Sequence, residues 1–223
     1  ILSGALWDAL IRQMLLPKSA GQYLEHVRKS AISCAQNIAA SYHCKRPHAE
    51  TVRRFACAVF DRMKDIHGLG RRERLLLELA AILHDCGHYV TVKEHLQSSF
   101  DVIKDTDIYG ITDEDMLLTA FVARYNEYDV PDVTDTGFAA LRNKNKLIIS
   151  KLAAIFRLAN ALDKSQKQKL GDIGVRFEKD RLMISAQSDA NLYLEQWAFE
   201  QCAPYFQEVF GYRPVLSIKS SLI

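Results

Sequence analysis

The strongest chemistry in the sequence sits at His84 and Asp85, adjacent in the run LAAILHDCGHYV. An imidazole nitrogen beside a carboxylate oxygen suits a divalent transition metal, which can acidify a bound water for phosphate-ester hydrolysis. Neighbouring helical residues point about 100° apart, so both side chains meet one ion only where a helix ends and the backbone opens. Gly87 supplies that opening and ends the helix. His48 stands 36 residues upstream of His84 at the start of a predicted helix, His88 follows four residues after it, and His95 lies on the next element. His48, His84, Asp85, His88 and His95 are therefore the candidate ligands of a divalent ion. The same pair can also serve as a helix-end cap bonded to nearby backbone, and an isolated His-Asp dipeptide leaves both readings open.

Charge gives a second signal. Between Leu141 and Leu170 lie Arg142, Lys144, Lys146, Lys151, Arg157, Lys164, Lys167 and Lys169 against one acid, Asp163. From His84 to Asp132 the balance reverses, with eleven acids against Lys93, Lys104 and Arg124. A strip of cations along a helix attracts a polyanion and releases its counterions. Arg142, Lys144, Lys146, Lys151 and Arg157 are its candidate contacts, with Arg62, Arg71, Arg72 and Arg74 extending them. A solvated helix face is the competing explanation. Other chemistries find no support: no GK[ST] follows a glycine turn, and no G-x-S-x-G elbow occurs.

Helices must position these groups. Apolar residues at three- and four-residue spacing predict helices over about 22–42, 48–66, 71–85, 93–104, 113–128 and 144–169. Thr112 is the expected N-cap of the fifth. Near Gly171 the period changes. Val175, Phe177, Leu182 and Ile184 alternate with polar residues around Lys179-Asp180, which reads as a hairpin. A helix over about 190–210 and a strand over 213–219 complete a β-β-α-β module. The expected fold is mainly α: a helical domain over 1–170, then a small α+β module over 171–223.

Composition narrows the class. The 223 residues are 48% hydrophobic and 25% charged with a net charge of +2, which excludes disorder and collagen-like repeats. No apolar run reaches the roughly 18 residues of a membrane span. Five cysteines without a CxxC pair suit reduced thiols and a cytoplasmic location. His26, His43 and His67 read as surface or cap residues, and Trp7 and Trp197 as core or interface anchors. The chain opens on Ile1 rather than Met, the mark of a piece of a longer chain.

His48 with His84-Asp85 resembles the HD superfamily, in which a distant His, a His-Asp pair and a later Asp bind metal inside a helical bundle. That later Asp sits in a run like L-A-D-x-L-D, where this chain reads Leu158-Ala159-Asn160-Ala161-Leu162-Asp163. The ordered set LSGALWD, LAAILHDCGHYV, EHLQSSFDVI, FVARYN, FRLANALDKS and FQEVFGYRP is similar to the C-terminal half of the exopolyphosphatase / guanosine pentaphosphate phosphatase family. The resemblance implies an HD-like helical domain followed by a small α+β module. It further implies that the intact protein hydrolyses terminal phosphates of polyphosphate or pppGpp with Mg²⁺, using catalytic acids in an actin-like half. This sequence would then contribute polyanion contacts and a homodimer interface, with neither a membrane nor DNA as partner, and would be inactive alone. Against the family pattern Ser98 stands for one His, Asn126 for another and Asn160 for the acidic ligand. A metal-dependent phosphohydrolase acting on nucleotides and a non-catalytic regulatory module are the alternatives.

Overall fold

The computed structural model describes residues 17–127, 129–132 and 134–219. The apolar opening up to Leu16, with Trp7, lies outside them. Helices α1 (Pro17–Ser41), α2 (Arg46–Arg62), α3 (Lys64–His67), α4 (Arg71–Leu83), α5 (Gly87–Val90), α6 (His95–Lys104), α7 (Asp113–Arg124), α8 (Thr136–Ala139) and α9 (Asn143–Ala161) form the bundle. Strands β1 (Gly174–Glu178) and β2 (Arg181–Gln187), helix α10 (Tyr193–Phe210) and strand β3 (Arg213–Lys219) follow. The chain is mainly α with a small α+β part.

The Leu-rich α4 is central, packed against α1, α2, α7 and α9. Leu76, Leu77, Leu79 and Leu83 are each at most 1% exposed, which withdraws about 1.5–3 kcal/mol of apolar surface from water per side chain. Thr112 caps α7 as expected, its hydroxyl accepting the Asp115 N–H at 3.2 Å. In the terminal module β1 and β2 are antiparallel, with Val175 opposite Ile184 and Phe177 opposite Leu182. Strand β3 runs parallel to β2 after the α10 crossover. Lys179 supplies the left-handed hairpin position at φ 53°. Leu182, Ile184 and Ala186 belong to the same continuous apolar core as Phe156, Phe199 and Phe206. The architecture changes between Ala161 and Gly174, around residue 170, without a break in that core. No single described helix is long and apolar enough to cross a membrane.

Three expectations need correction. The helix over 71–85 ends at Leu83, and Gly87 opens α5 rather than closing α4. Gly87 is needed for close packing, since a Cβ there would lie 2.0 Å from the His95 carbonyl oxygen and 2.3 Å from the Ser99 nitrogen. His67 is not on the surface: it is 2% exposed, its ring Nε2–H donating to the Phe60 carbonyl at 2.8 Å, and it caps the end of α3, its Nδ1 accepting the Leu69 N–H at 2.9 Å. The helix over 144–169 stops at Ala161, for a reason that belongs to the site.

Candidate functional site

His48 enters from the first turns of α2, and His84 caps α4, with Asp85 next in the turn toward α5. His48 and His84 are each 2% exposed. Their Nε2 atoms face one another at 3.3 Å. Asp85 brings Oδ1 to 3.3 Å from His84 Nε2 and Oδ2 to 4.0 Å from His48 Nε2. One ligand atom from each of the three residues lies within 4.8 Å of the other two, a group able to hold a metal ion.

The partners behind the rings decide their protonation. His48 Nδ1 lies 2.8 Å from Asp163 Oδ2, and His84 Nδ1 lies 3.0 Å from the Ala81 carbonyl oxygen. A carboxylate and a carbonyl only accept, so each Nδ1 carries a hydrogen, and in the neutral form of each ring Nε2 presents a lone pair. Two lone pairs aimed at each other in a buried space repel unless a cation or proton sits between them. A metal with a carboxylate behind one ligating imidazole is a familiar supported arrangement. The donor set therefore fits a divalent ion.

Electrostatics agree with the ligand state. Burial pushes the His84 imidazole below its ordinary range, against the opposing pull of Asp85. Burial raises Asp85, but the imidazoles of His84, His48, His88 and His95 together outweigh it and hold the carboxyl below its usual range. Burial therefore favours the neutral ring of His84, and the neighbouring imidazoles favour the ionised carboxylate of Asp85. Neutral imidazole and ionised carboxylate are the forms a metal requires.

The early end of α9 serves this centre. Asp163 Oδ1 accepts the Gln168 N–H at 2.7 Å and Oδ2 accepts the Gln168 side-chain amide at 2.9 Å. Gln166 and Gln168 hold left-handed backbone at φ 54° and 47°. Such non-glycine conformations cost about 1 kcal/mol or more each and persist where surrounding bonds impose them. The tight turn aims Asp163 at His48. Asp163 supports the ligand His48 through its Nδ1. Its only sequence signal is its place three residues beyond Asn160 in the L-A-D-x-L-D-like run.

His88 and His95 stand beside the three-residue group. His88 Nε2 is 3.7 Å from Asp85 Oδ1, and its ring stacks on His95 with centroids 4.0 Å apart. His95 faces Glu127, Nε2 to Oε2 at 3.9 Å, and Glu127 is held by Lys164 at 2.7 Å. Tyr42, His43, Cys44 and Tyr89 line the approach to Asp85 and His88. Ser99 locks the turn, its hydroxyl donating to the His84 carbonyl at 2.5 Å and accepting the Gly87 N–H at 2.9 Å.

The predicted cations are dispersed. Arg142 is 86% exposed at the side chain and Lys144 is exposed, while Lys146 is half-buried. Lys151 donates to the His67 carbonyl at 2.7 Å. Arg157 is 5% exposed and donates to the Tyr125 and Asp129 carbonyls, so it joins no surface strip. The sequence carried that signal: at about 100° per residue, Lys144 and Lys151 share one face of α9, and Lys146 and Arg157 share one about 200° round. Arg72 and Arg74 are taken by Asp115 and Asp61, at 2.5 and 2.7 Å.

Residues 27–203 match the family model for Ppx/GppA phosphatase, domain III. The chain belongs to the Ppx/GppA phosphatase family. No curated protein matches it. Within this domain III two of the three positions expected to depart from the family's ligands, Asn126 and Asn160, are buried at 5% and 6% exposure. Both line a cavity between α9 and α10. Ser98 lies half-buried on α6.

Proposed function

We propose that this chain is the ion-holding and polyanion-binding part of a phosphatase that hydrolyses phosphoanhydride bonds of polyphosphate or pppGpp. Its centre of His48, His84 and Asp85 holds one divalent cation. The facing Nε2 lone pairs at 3.3 Å, each fixed by a partner on Nδ1, carry this reading. When bound, such an ion polarises a phosphoryl oxygen or lowers the pKa of a coordinated water. The residues of the chain do the rest. Asp163 holds the His48 ring, the Ala81 carbonyl holds His84, and Ser99 keeps the turn that presents Asp85. Exposed Arg142 and Lys144, with Lys146, contribute polyanion contacts at the start of α9.

Cleavage in this reading uses Mg²⁺ in an actin-like half of the intact protein. Exposed Tyr193, Leu194 and Trp197 on one stretch of α10 suit a contact between two copies of the chain. A cytoplasmic setting agrees with the free state of all five cysteines. A second reading gives the centre its own phosphohydrolase activity on nucleotides, favoured by the support that Asp163 lends to His48.

Elemental analysis and a Mn²⁺ or Ni²⁺ thermal-shift titration test the ion. The expected result is bound metal and a rise in Tm that His84→Ala removes; no metal and no shift defeat the proposal. Polyphosphate binding should weaken as salt rises and after Arg142→Glu with Lys144→Glu. Turnover of nucleotides or pppGpp by this chain alone, lost in Asp85→Asn, would establish the second reading over the first.

A further inference from the structure

Arg157 lies in the second half of α9 with 5% of its surface exposed. Among the described residues it forms no ion pair with a carboxylate. Its guanidinium is offset only by the Tyr125 and Asp129 carbonyls and by the Tyr205 ring, 5.7 Å from its centroid. A buried guanidinium without a counter-ion is unfavourable, because the charge loses water and gains only dipoles. Arg157 also borders a cavity of about 280 Å³ between α9 and α10. Its Nε–H is buried and has no hydrogen-bond partner, and the same is true of Asn126 Oδ1 in the same wall.

The rest of the lining favours an anion. Asn160 and Gln201 add side-chain amides, and Lys164 adds a second cation. Glu127 is the one acid in the wall, and its carboxylate is occupied by Lys164 at 2.7 Å. Two cations against one acid leave the wall with a net positive charge. An amide turned by 180° exchanges its oxygen for its NH₂, so Asn126 can present donors as well. The half-exposed indole of Trp197 closes the lip.

We propose that this cavity binds a phosphate group, with Arg157 as its buried counter-ion and the amides of Asn126, Asn160 and Gln201 as neutral donors. Its lining shares no residue with the His48, His84 and Asp85 group. The choice of phosphate rests on the function proposed above, whereas the need for an anion rests on Arg157 itself. The volume sits near the lower end of small-ligand sites, enough for a phosphate and part of what carries it. That carrier is either an inorganic chain or a nucleoside.

Trp197 is the built-in reporter. The sequence has two tryptophans, so Trp7→Phe leaves Trp197 as the sole source of indole emission. In that background, pyrophosphate, tripolyphosphate and GTP are titrated separately at constant ionic strength, with citrate as a carboxylate control. Saturable changes in Trp197 emission with the phosphate probes are expected, together with binding about tenfold weaker in Gln201→Glu and in Arg157→Met. Gln201 is exposed, so its variant places a carboxylate at the lip without disturbing the core. Tighter GTP binding identifies a nucleoside carrier, and equal or tighter tripolyphosphate binding identifies an inorganic chain. No saturable response, equal affinity in Gln201→Glu, or an equal response to citrate overturns the proposal. Arg142→Glu with Lys144→Glu separates the two readings: it weakens long-chain polyphosphate binding to the α9 surface but leaves the pyrophosphate response of Trp197 unchanged.

Discussion

Glu78 and Arg157 are both buried, at 1% and 5% exposure, yet their surroundings differ in kind. The Glu78 carboxylate accepts from Arg28 Nε and Nη2 at 2.8 and 2.7 Å and from Arg53 Nη1 at 3.0 Å. Arg74 Nη1 adds a contact at 3.3 Å. Three cations from α1, α2 and α4 thus converge on one acid, and their outer faces still reach water. Arg157 has carbonyl dipoles and one aromatic ring instead. A buried charge enclosed by opposite charges ties elements together. A buried charge that borders an open cavity and lacks an opposite charge has room for one to arrive.

The largest expected effect follows from removing the enclosed charge. Glu78→Ala leaves Arg28, Arg53 and Arg74 facing one another without their shared acid. Breaking a buried pair from one side destabilises by about 3–5 kcal/mol. The partial exposure of the arginines favours the lower end, about 3 kcal/mol. Urea unfolding checks this as a fall in midpoint at constant m. A loss under about 1 kcal/mol would mean that Glu78 is no tie at all.

Next in size is the proposed ion site of His48, His84 and Asp85. At a free metal concentration near 100 times Kd, Mn²⁺ should add about 2.7 kcal/mol to apparent stability. His84→Ala should abolish that gain. Asp163→Asn should weaken metal binding about 10–100-fold, because it removes the acceptor that orients His48 and leaves the ligand atoms in place. Equal affinity in Asp163→Asn would mean that the contact is packing rather than support.

How far the sequence revealed these places depends on whether the signal is local. The β-β-α-β order was legible because Val175, Phe177, Leu182 and Ile184 alternate, and alternation survives into one buried face. The group of His48, His84 and Asp85 was legible in part, since adjacency at a helix end is a local feature. The stop of α9 at Ala161 was not. Lys164, Gln166, Lys167 and Gln168 are good helix formers, and the chain leaves the helix through bonds to Asp163. The cavity was hidden for the same reason. Composition shows that Arg157 is a cation, but only the packing of α10 against α9 shows that no carboxylate among the described residues accompanies it. Glu78 was equally unmarked, because its three partners come from α1, α2 and α4.

A smaller effect depends on pH. His67 Nε2–H donates to the Phe60 carbonyl and its Nδ1 accepts the Leu69 N–H at 2.9 Å, so the neutral ring is satisfied on both sides. A second proton would face that N–H. Burial first, and then the Lys151 ammonium, push the imidazole below its ordinary range. The folded pKa lies below the unfolded one, near 6.5, so in the interval between them the unfolded chain binds the proton and the folded chain does not. Stability contributed by His67 is therefore complete above about pH 6.5 and declines as pH falls through that value toward the folded pKa. His67→Gln can keep a donor toward Phe60 and an acceptor for Leu69 without titrating. Its Tm should fall less than that of the parent chain between about pH 7.5 and about pH 5.5. All other ionisable groups are common to both proteins and cancel from the difference. Equal falls would show that His67 is protonated in the fold without penalty.

The smallest expected effect lies at the other buried charge. Arg157→Met keeps the length of the side chain and removes a guanidinium that no carboxylate compensates. Two opposing changes follow. The Tyr125 and Asp129 carbonyls each lose a donor, together about 2 kcal/mol at roughly 1 kcal/mol per typical net hydrogen bond. Against this, an apolar side chain no longer requires a buried cation to be desolvated, and such replacements are often neutral or stabilising. The two nearly cancel, leaving a net change within about 1 kcal/mol by urea unfolding in the absence of phosphate, far below the loss at Glu78. In the presence of pyrophosphate the difference from the parent chain should widen, because only the parent gains stability from a ligand bound to the fold. A loss near that of Glu78→Ala without any anion would make Arg157 a structural tie like Glu78 and remove the reason for an anion in the cavity.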